Sequence, residues 1–267
     1  MKELNVELLA KIIKEEGHEI NIVPVNKNGT MLDAVVIAGS AVSPCYYIKS
    51  LNERMNALNQ TEEDLAEFII ETYKEIDFNH LRSLSDTMLD FDNVKNHLVT
   101  GLMKAGTDNT ISTMPFMGMD CYVYADFEHY RVNISKEIIK FWNVDKNYVF
   151  KIAEENSAKN VLIFESDDSE SYMPIMFFIT ISSTGHGASS ACIGAIEKIA
   201  DKYKKDVWMI PIDVDKIVAL LYAGETDEEV NAMIKYMRWI APEIDELLDY
   251  GYLYIRENKT FRSTAPE

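Results

Sequence analysis

Apolar and polar positions along the chain change their period several times, and each change marks an element. Leu4, Leu8, Leu9, Ile12 and Ile13 recur at helical spacing, which predicts an amphipathic first helix that Gly17 ends by accepting a left-handed conformation. Residues 20–25 and 31–38 read as β-rich runs joined by Asn28-Gly29, a tight-turn pair because both residues tolerate positive φ. Ser43-Pro44 breaks the pattern, after which Tyr46, Tyr47 and Ile48 fit either a short extended piece or the start of a helix carrying Leu51 and Met55. Thr61 and Asp64 have the spacing of a capping box, and Leu65, Phe68, Ile69 and Thr72 extend a helical face behind them.

Residues 78–96 are mixed, and residues 108–118, rich in Asn, Thr, Ser, Pro and Gly, predict a long loop or a subdomain junction. Two strands are expected over 121–125 and 130–134. Ser135 and Asp145 stand where N-caps belong for helices over 136–142 and 146–156, the second with Tyr148, Val149, Ile152 and Ala153 on one face. The run 161–164 predicts a buried strand, and 166–171 an exposed acidic connection. The most continuous hydrophobic patterning spans 176–222. It opens with a β-rich run, 176–181, crosses a Ser/Gly segment and enters a helix whose buried face carries Ala188, Cys192, Ala195, Ile196, Ile199 and Tyr203. Strands over 207–210 and 217–222 follow. Thr226 and Glu229 form a capping box for a helix carrying Val230, Met233, Ile234, Met237 and Ile240, which Pro242 closes. A short helical piece over 244–248, a strand over 252–256 and a frayed tail end the pattern. Trp142, Trp208 and Trp239 fall at periodic positions, where large aromatics belong to the core.

This order predicts an α+β (mixed α/β) fold, with helices packed on a central mixed, mainly antiparallel sheet. Residues 1–267 are expected to form a single compact unit, subdivided if at all into a helix-hairpin-helix part, 1–107, and an α/β part, 118–267.

Composition narrows the function. The 47% of hydrophobic residues is ample for a core, and 44 acidic against 26 basic residues give a net charge of -18. That charge works against direct binding to nucleic acid or to anionic membranes and favours a basic protein partner; solubility alone also accounts for it. No apolar run approaches the roughly twenty residues of a membrane span, and the first residues carry acidic positions unlike a signal peptide, so a soluble cytoplasmic protein is expected. Cys45, Cys121 and Cys192 lack paired spacing and read as reduced, buried thiols. Asp86, Asp90 and Asp92 lack the glycine and terminal Glu of a calcium loop, and His18, His80, His97 and His129 lack ligand spacing, so no metal or cofactor is expected.

One segment offers candidate chemistry. Ser183, Thr184, Gly185, His186, Gly187 and Ser189, between a strand and a helix, could present backbone N–H groups to a small anion at the positive end of the helix. The segment lacks the lysine of a P-loop and the spacing of a dinucleotide fingerprint, so an ordinary capped turn competes with that reading. His186 as an acid or base would need a positioned nucleophile and a carboxylate, and no G-x-S-x-G elbow supplies one. Asp213 and Asp215 place two carboxylates on one side of an extended segment, or simply form a turn.

A wider set of landmarks adds context. It begins with Asn28-Gly29, Ser43-Pro44 with Tyr47-Ile48, and Asn93 with Asn96 and Leu98, and continues through Pro115, residues 120–124, Ile134, Trp142, Ala153 and Asn156. Gly187-Ala188, Trp208-Met209-Ile210-Pro211, Ala241-Pro242-Glu243 and residues 252–256 complete it. In order and spacing the set resembles an uncharacterised family of bacterial proteins, common in gut Firmicutes and their mobile elements and described only as a domain of unknown function. The resemblance spans most of the chain. It departs where the family carries an Asn before the central loop and serines at the positions of Ile212 and Asp213. An accessory role in a bacterial or mobile-element setting is what it implies, without naming chemistry. The leading expectation is therefore a non-enzymatic accessory protein that binds a protein partner through its acidic surface. A small-anion-binding protein or enzyme using the Ser183 to Ser189 loop, and an acidic nucleic-acid-mimicking inhibitor, are the alternatives.

Overall fold

The computed structural model describes residues 3–27, 30–38, 44–75, 78–127, 130–166, 176–181, 187–214, 216–240 and 247–265. Contacts divide the chain into two units, Met1–Met88 and Leu89–Glu267, so residues 108–118 lie inside the second unit.

In the first unit α1 (Val6–Glu15) precedes β1 (Ile20–Lys27), β2 (Thr30–Ile37) and β3 (Tyr46–Tyr47), followed by α2 (Ile48–Leu58), α3 (Glu62–Lys74) and α4 (Phe78–Leu89). The three strands form an antiparallel sheet in chain order. Lys27 stands opposite Thr30, the register of a two-residue turn, although Asn28 and Gly29 lie outside the described residues. Tyr46 and Tyr47 prove extended and the helix begins at the next residue, so both readings of that stretch hold in part. The core joins Leu9 and Ile13 of α1 to Val35 of β2, Met55 of α2 and Leu65 and Ile69 of α3. Local chemistry fixes the helix ends: Asn5 Oδ1 accepts from Leu8 N at 3.1 Å, and Thr61 and Asp64 form a reciprocal capping box.

The second unit opens with α5 (Phe91–Val94), a 3₁₀ turn and β4 (Leu98–Lys104). It continues with β5 (Thr113–Phe116), β6 (Met119–Phe127), β7 (Tyr130–Asn133), α6 (Lys136–Trp142) and α7 (Lys146–Lys159). Next come β8 (Leu162–Glu165), β9 (Met176–Thr180), a 3₁₀ turn over Ser190–Cys192 and α8 (Ile193–Tyr203). The last elements are β10 (Val207–Pro211), β11 (Ile217–Leu221), α9 (Asp227–Ile240), β12 (Tyr252–Ile255) and β13 (Thr260–Ser263). Every strand pairing among the described residues is antiparallel. The fold is thus α+β, with the described strands in three sheets instead of one central sheet.

A six-stranded sheet runs β13-β12-β10-β11-β9-β8. β10 and β11 are buried on both faces, which explains their unbroken apolar runs. Trp208, Ile210, Val218 and Leu220 pack on one face against Val230 and Ile234 of α9. On the other face α8 covers β10 and β11, with Tyr203 against Phe177 at a ring distance of 5.5 Å. In the second sheet β4 pairs along its whole length with β6, over Met119 to Ala125, while β5 and β7 share the other edge of β6. Gly101 of β4 lies opposite Tyr122, and a Cβ there would come within 2.6 Å of the ring, so the glycine admits the aromatic.

Five expectations change. Residues 108–118 are no plain loop: they contain β5, and Met117 and Gly118, both at positive φ, turn it tightly into β6. The tail is no fray, because β13 pairs with β12 across a turn in which Lys259 has φ 54°. The strand near 161–164 is an exposed sheet edge, with Phe164 51% exposed. Trp239 is 76% exposed beside an exposed Tyr236, whereas Trp208 is fully buried. Cys45 is exposed, while Cys121 and Cys192 are buried.

Candidate functional site

Polar side chains gather in the second unit where β4 meets α7. β4 is an edge strand, and its outer N–H groups need partners from outside the sheet. Thr100 N donates to Ser157 Oγ of α7 at 2.8 Å, and Leu102 N donates to Ala188 O at 3.0 Å. Ala188 N in turn donates to Val214 O at 2.9 Å, so the segment that leaves β9 is pinned on both sides. Gly187 makes this possible with φ 140°: a Cβ there would lie 2.8 Å from Ile181 Cγ1 and 3.0 Å from Tyr124 Oη.

The hydroxyls continue the network. Thr100 Oγ1 is 2.5 Å from Ser189 Oγ, 3.2 Å from Ser157 Oγ and 3.3 Å from Glu154 Oε2. Ser189 Oγ also accepts from Ala191 N at 3.1 Å and thereby caps the 3₁₀ turn. Ser190 Oγ donates to the same Glu154 oxygen in a short bond and lies 3.6 Å from Cys121 Sγ. Thr100, Ser157 and Ser189 are buried, whereas Glu154 and Ser190 are half-buried and line an open cavity of about 530 Å³.

Three elements build that cavity. α7 contributes Asn147, Phe150, Lys151 and Glu154, spaced i, i+3, i+4, i+7 and hence on one helical face. The β5–β6 hairpin adds Met114, Pro115, Phe116 and Cys121, and Ser190 and Ile193 close the far side. Pro115 is tolerated because β5 has an unpaired edge. Burial pushes the Cys121 thiol up to about 12, the Ser190 hydrogen bond works against that rise, and Glu154 adds to it. The thiol therefore stays protonated at neutral pH and is a weak nucleophile.

Of the loop residues singled out in the sequence, Ser183, Thr184, Gly185 and His186 lie outside the described residues. Gly187 and Ser189 face inward, and the N–H groups of Ala188, Ala191 and Cys192 already have partners in Val214 O, Ser189 Oγ and Ser189 O. The charged group beside this end of the segment is a carboxylate. Asp213 is buried in a turn, accepting from Lys216 N at 2.9 Å with the Lys216 ammonium at 3.2 Å, and Asp215 lies outside the described residues. The polar pair Glu154 and Ser157 escaped the sequence reading, which put Tyr148, Val149, Ile152 and Ala153 on one face of α7; of these Val149 and Ala153 are buried. In the structure Phe150 and Ser157 are buried and Tyr148 is exposed.

Among the described residues no group of three or more His, Cys, Asp or Glu is arranged to hold a metal ion, and no helix is long and apolar enough to cross a membrane. No protein-family model, curated protein or solved structure matches the chain.

Proposed function

We propose that the second unit is a small-molecule binding module whose site is the cavity floored by Glu154 and Ser190. The observation that carries this is the composition of the cavity: apolar walls from Met114, Phe116, Phe150 and Ile193 surround a few polar groups, of which the Glu154 carboxylate and the Ser190 hydroxyl are joined by a hydrogen bond and Asn147 and Lys151 stand on the same face of α7. Ligand pockets combine an apolar lining with a few fixed polar groups in volumes of about 300–1,000 Å³, and 530 Å³ lies inside that range. Non-covalent binding accounts for the site better than thiol catalysis, since burial keeps Cys121 protonated. The test is a fragment screen by ligand-observed NMR on the wild-type chain and on Ile193→Trp, which fills the cavity from its rim. Fragments should bind the wild type and lose their signal with the variant. An empty screen, or one that the variant leaves unchanged, removes the proposal.

A second reading, binding of a basic protein partner, draws on a different feature. In the first unit α1 and α3 pack side by side, and a groove of about 360 Å³ runs between them over Ile12, Ala66 and Ile70. Glu16, Glu63, Glu67 and Glu71 edge it, with Lys74 at the same groove. Among the described residues none of these four carboxylates is in an ion pair. Glu63, Glu67 and Glu71 stand four residues apart on one helix, where like charges repel by a few tenths of a kcal/mol per pair, about 0.2–0.5. An amphipathic helix with a lysine-rich face would relieve that repulsion. Fluorescence anisotropy with such a peptide should show binding that weakens steeply with salt and disappears in Glu63→Gln/Glu67→Gln; affinity indifferent to both changes would eliminate this reading.

A further inference from the structure

Resting on the reading of the cavity as a small-molecule site, we propose that its ligand is a primary amine carrying an apolar group, bound with its ammonium against Glu154. The two carboxylate oxygens of Glu154 are not equivalent. Oε2 accepts from Ser190 and Thr100, whereas Oε1 accepts from no described residue. No described lysine or arginine pairs with Glu154 either. Lys151, one turn away on α7, is directed to Glu155 at 4.0 Å, and both of those side chains are largely in water. Among the described residues this half-buried carboxylate therefore has one oxygen unengaged and no ion-pair partner, since Lys151 lines the same cavity and the Lys146 ammonium lies 5.6 Å from the Phe150 ring but neither is paired with Glu154. Partial removal from water makes that arrangement costly, and an opposite charge with hydrogen-bond donors offsets the cost.

An ammonium supplies both, with three donors on a compact charge. A ligand hydroxyl supplies one neutral donor, and a ligand carboxylate would be repelled. The Cys121 thiol remains protonated because burial raises its pKa, so it brings no second negative charge to the floor. Phe116, Met114 and Ile193 offer the apolar body of the ligand a surface opposite Phe150. The same geometry argues against the small anion expected from the Ser183 to Ser189 loop, whose described end abuts the carboxylate network.

The experiment compares three probes with matched phenyl bodies, 2-phenylethylamine, 2-phenylethanol and 3-phenylpropionate, by calorimetry against the wild-type chain and Glu154→Gln. The amine should bind the wild type at least about ten-fold more tightly than the alcohol, with the carboxylate weakest, because a charge-assisted hydrogen bond is roughly twice as strong as a neutral one. In Glu154→Gln the amine should fall to the level of the alcohol. Equal or tighter binding of the alcohol or the carboxylate to the wild type overturns the amine assignment while the cavity reading stands. So does an amine preference that survives in Glu154→Gln. If no probe binds although the fragment screen returns cavity ligands, the assignment again fails alone; if the screen is also empty, both fail. The wild-type comparison decides the ligand class even if Glu154→Gln does not fold.

Discussion

Thr100 joins three elements at a single position, through Ser157 and Glu154 of α7 and Ser189 at the cap of the 3₁₀ turn. It is buried in an edge strand, so its backbone N–H has no strand to meet and donates instead to Ser157 Oγ at 2.8 Å. Ser157→Ala would strand that N–H in a dry site, and a buried unsatisfied donor costs about 1–3 kcal/mol. Urea denaturation followed by circular dichroism should show a loss of that size. A loss below about 0.5 kcal/mol, the range of an ordinary surface change, would show that water reaches the amide and that the network is less enclosed than its burial implies. The sequence points to one end of this network, because Ser189 and Ser190 directly follow or close the Ser/Gly segment. It is silent on the other end. Glu154 and Ser157 are polar interruptions of a helical face, and nothing local says that they face Thr100, which lies 54 and 57 positions away.

Helix caps are legible in the sequence because their chemistry closes within three residues. Thr61 with Asp64, Ser135, Asp145 and Thr226 with Glu229 all make the hydrogen bonds their spacing suggests. Short strands escape for the opposite reason. β5 has only four residues, one of them a proline, and becomes a strand because the Met117-Gly118 turn lays it against β6. β13 depends in the same way on β12. Burial is less local still: the apolar run at β8 looks like a core strand, yet it occupies the outer position of its sheet and leaves Ile163 and Phe164 exposed. The helical period of α9 likewise identifies Val230 and Ile234 as core but cannot say how wide the covered stripe is, and Trp239 falls outside it. The cavity inherits both difficulties, since it needs the unforeseen β5 hairpin and the correct face of α7 at once.

Protonation links these sites to the stability of the chain. Cys121 and Cys192 are pushed up to about 12, in both cases chiefly by burial. Burial also raises Tyr252, and the neighbouring Tyr250 adds to that shift. Each group is neutral when protonated, so the folded chain keeps protons that the unfolded chain releases near the ordinary thiol and phenol values. The native state thus binds more protons than the unfolded state in the alkaline range, and stability falls as pH rises there. For the thiols the contribution is complete below about pH 8.5 and is lost as pH climbs toward 12, with a slope approaching about 1.4 kcal/mol per pH unit for each. Net charge acts in the same direction, since a chain already at -18 repels itself more as it loses protons. Cys192→Ala separates the two effects: it leaves the carboxylates untouched and removes one buried thiol, so it shifts stability at pH 7 but flattens the decline above pH 9. Urea midpoints of the reduced wild type and of Cys192→Ala at pH 7, 8, 9, 10 and 10.5 should therefore converge with rising pH. Parallel curves would show that the buried Cys192 thiol does not retain its proton and leave the alkaline loss to self-repulsion and to the groups common to both chains, Cys121 and Tyr252.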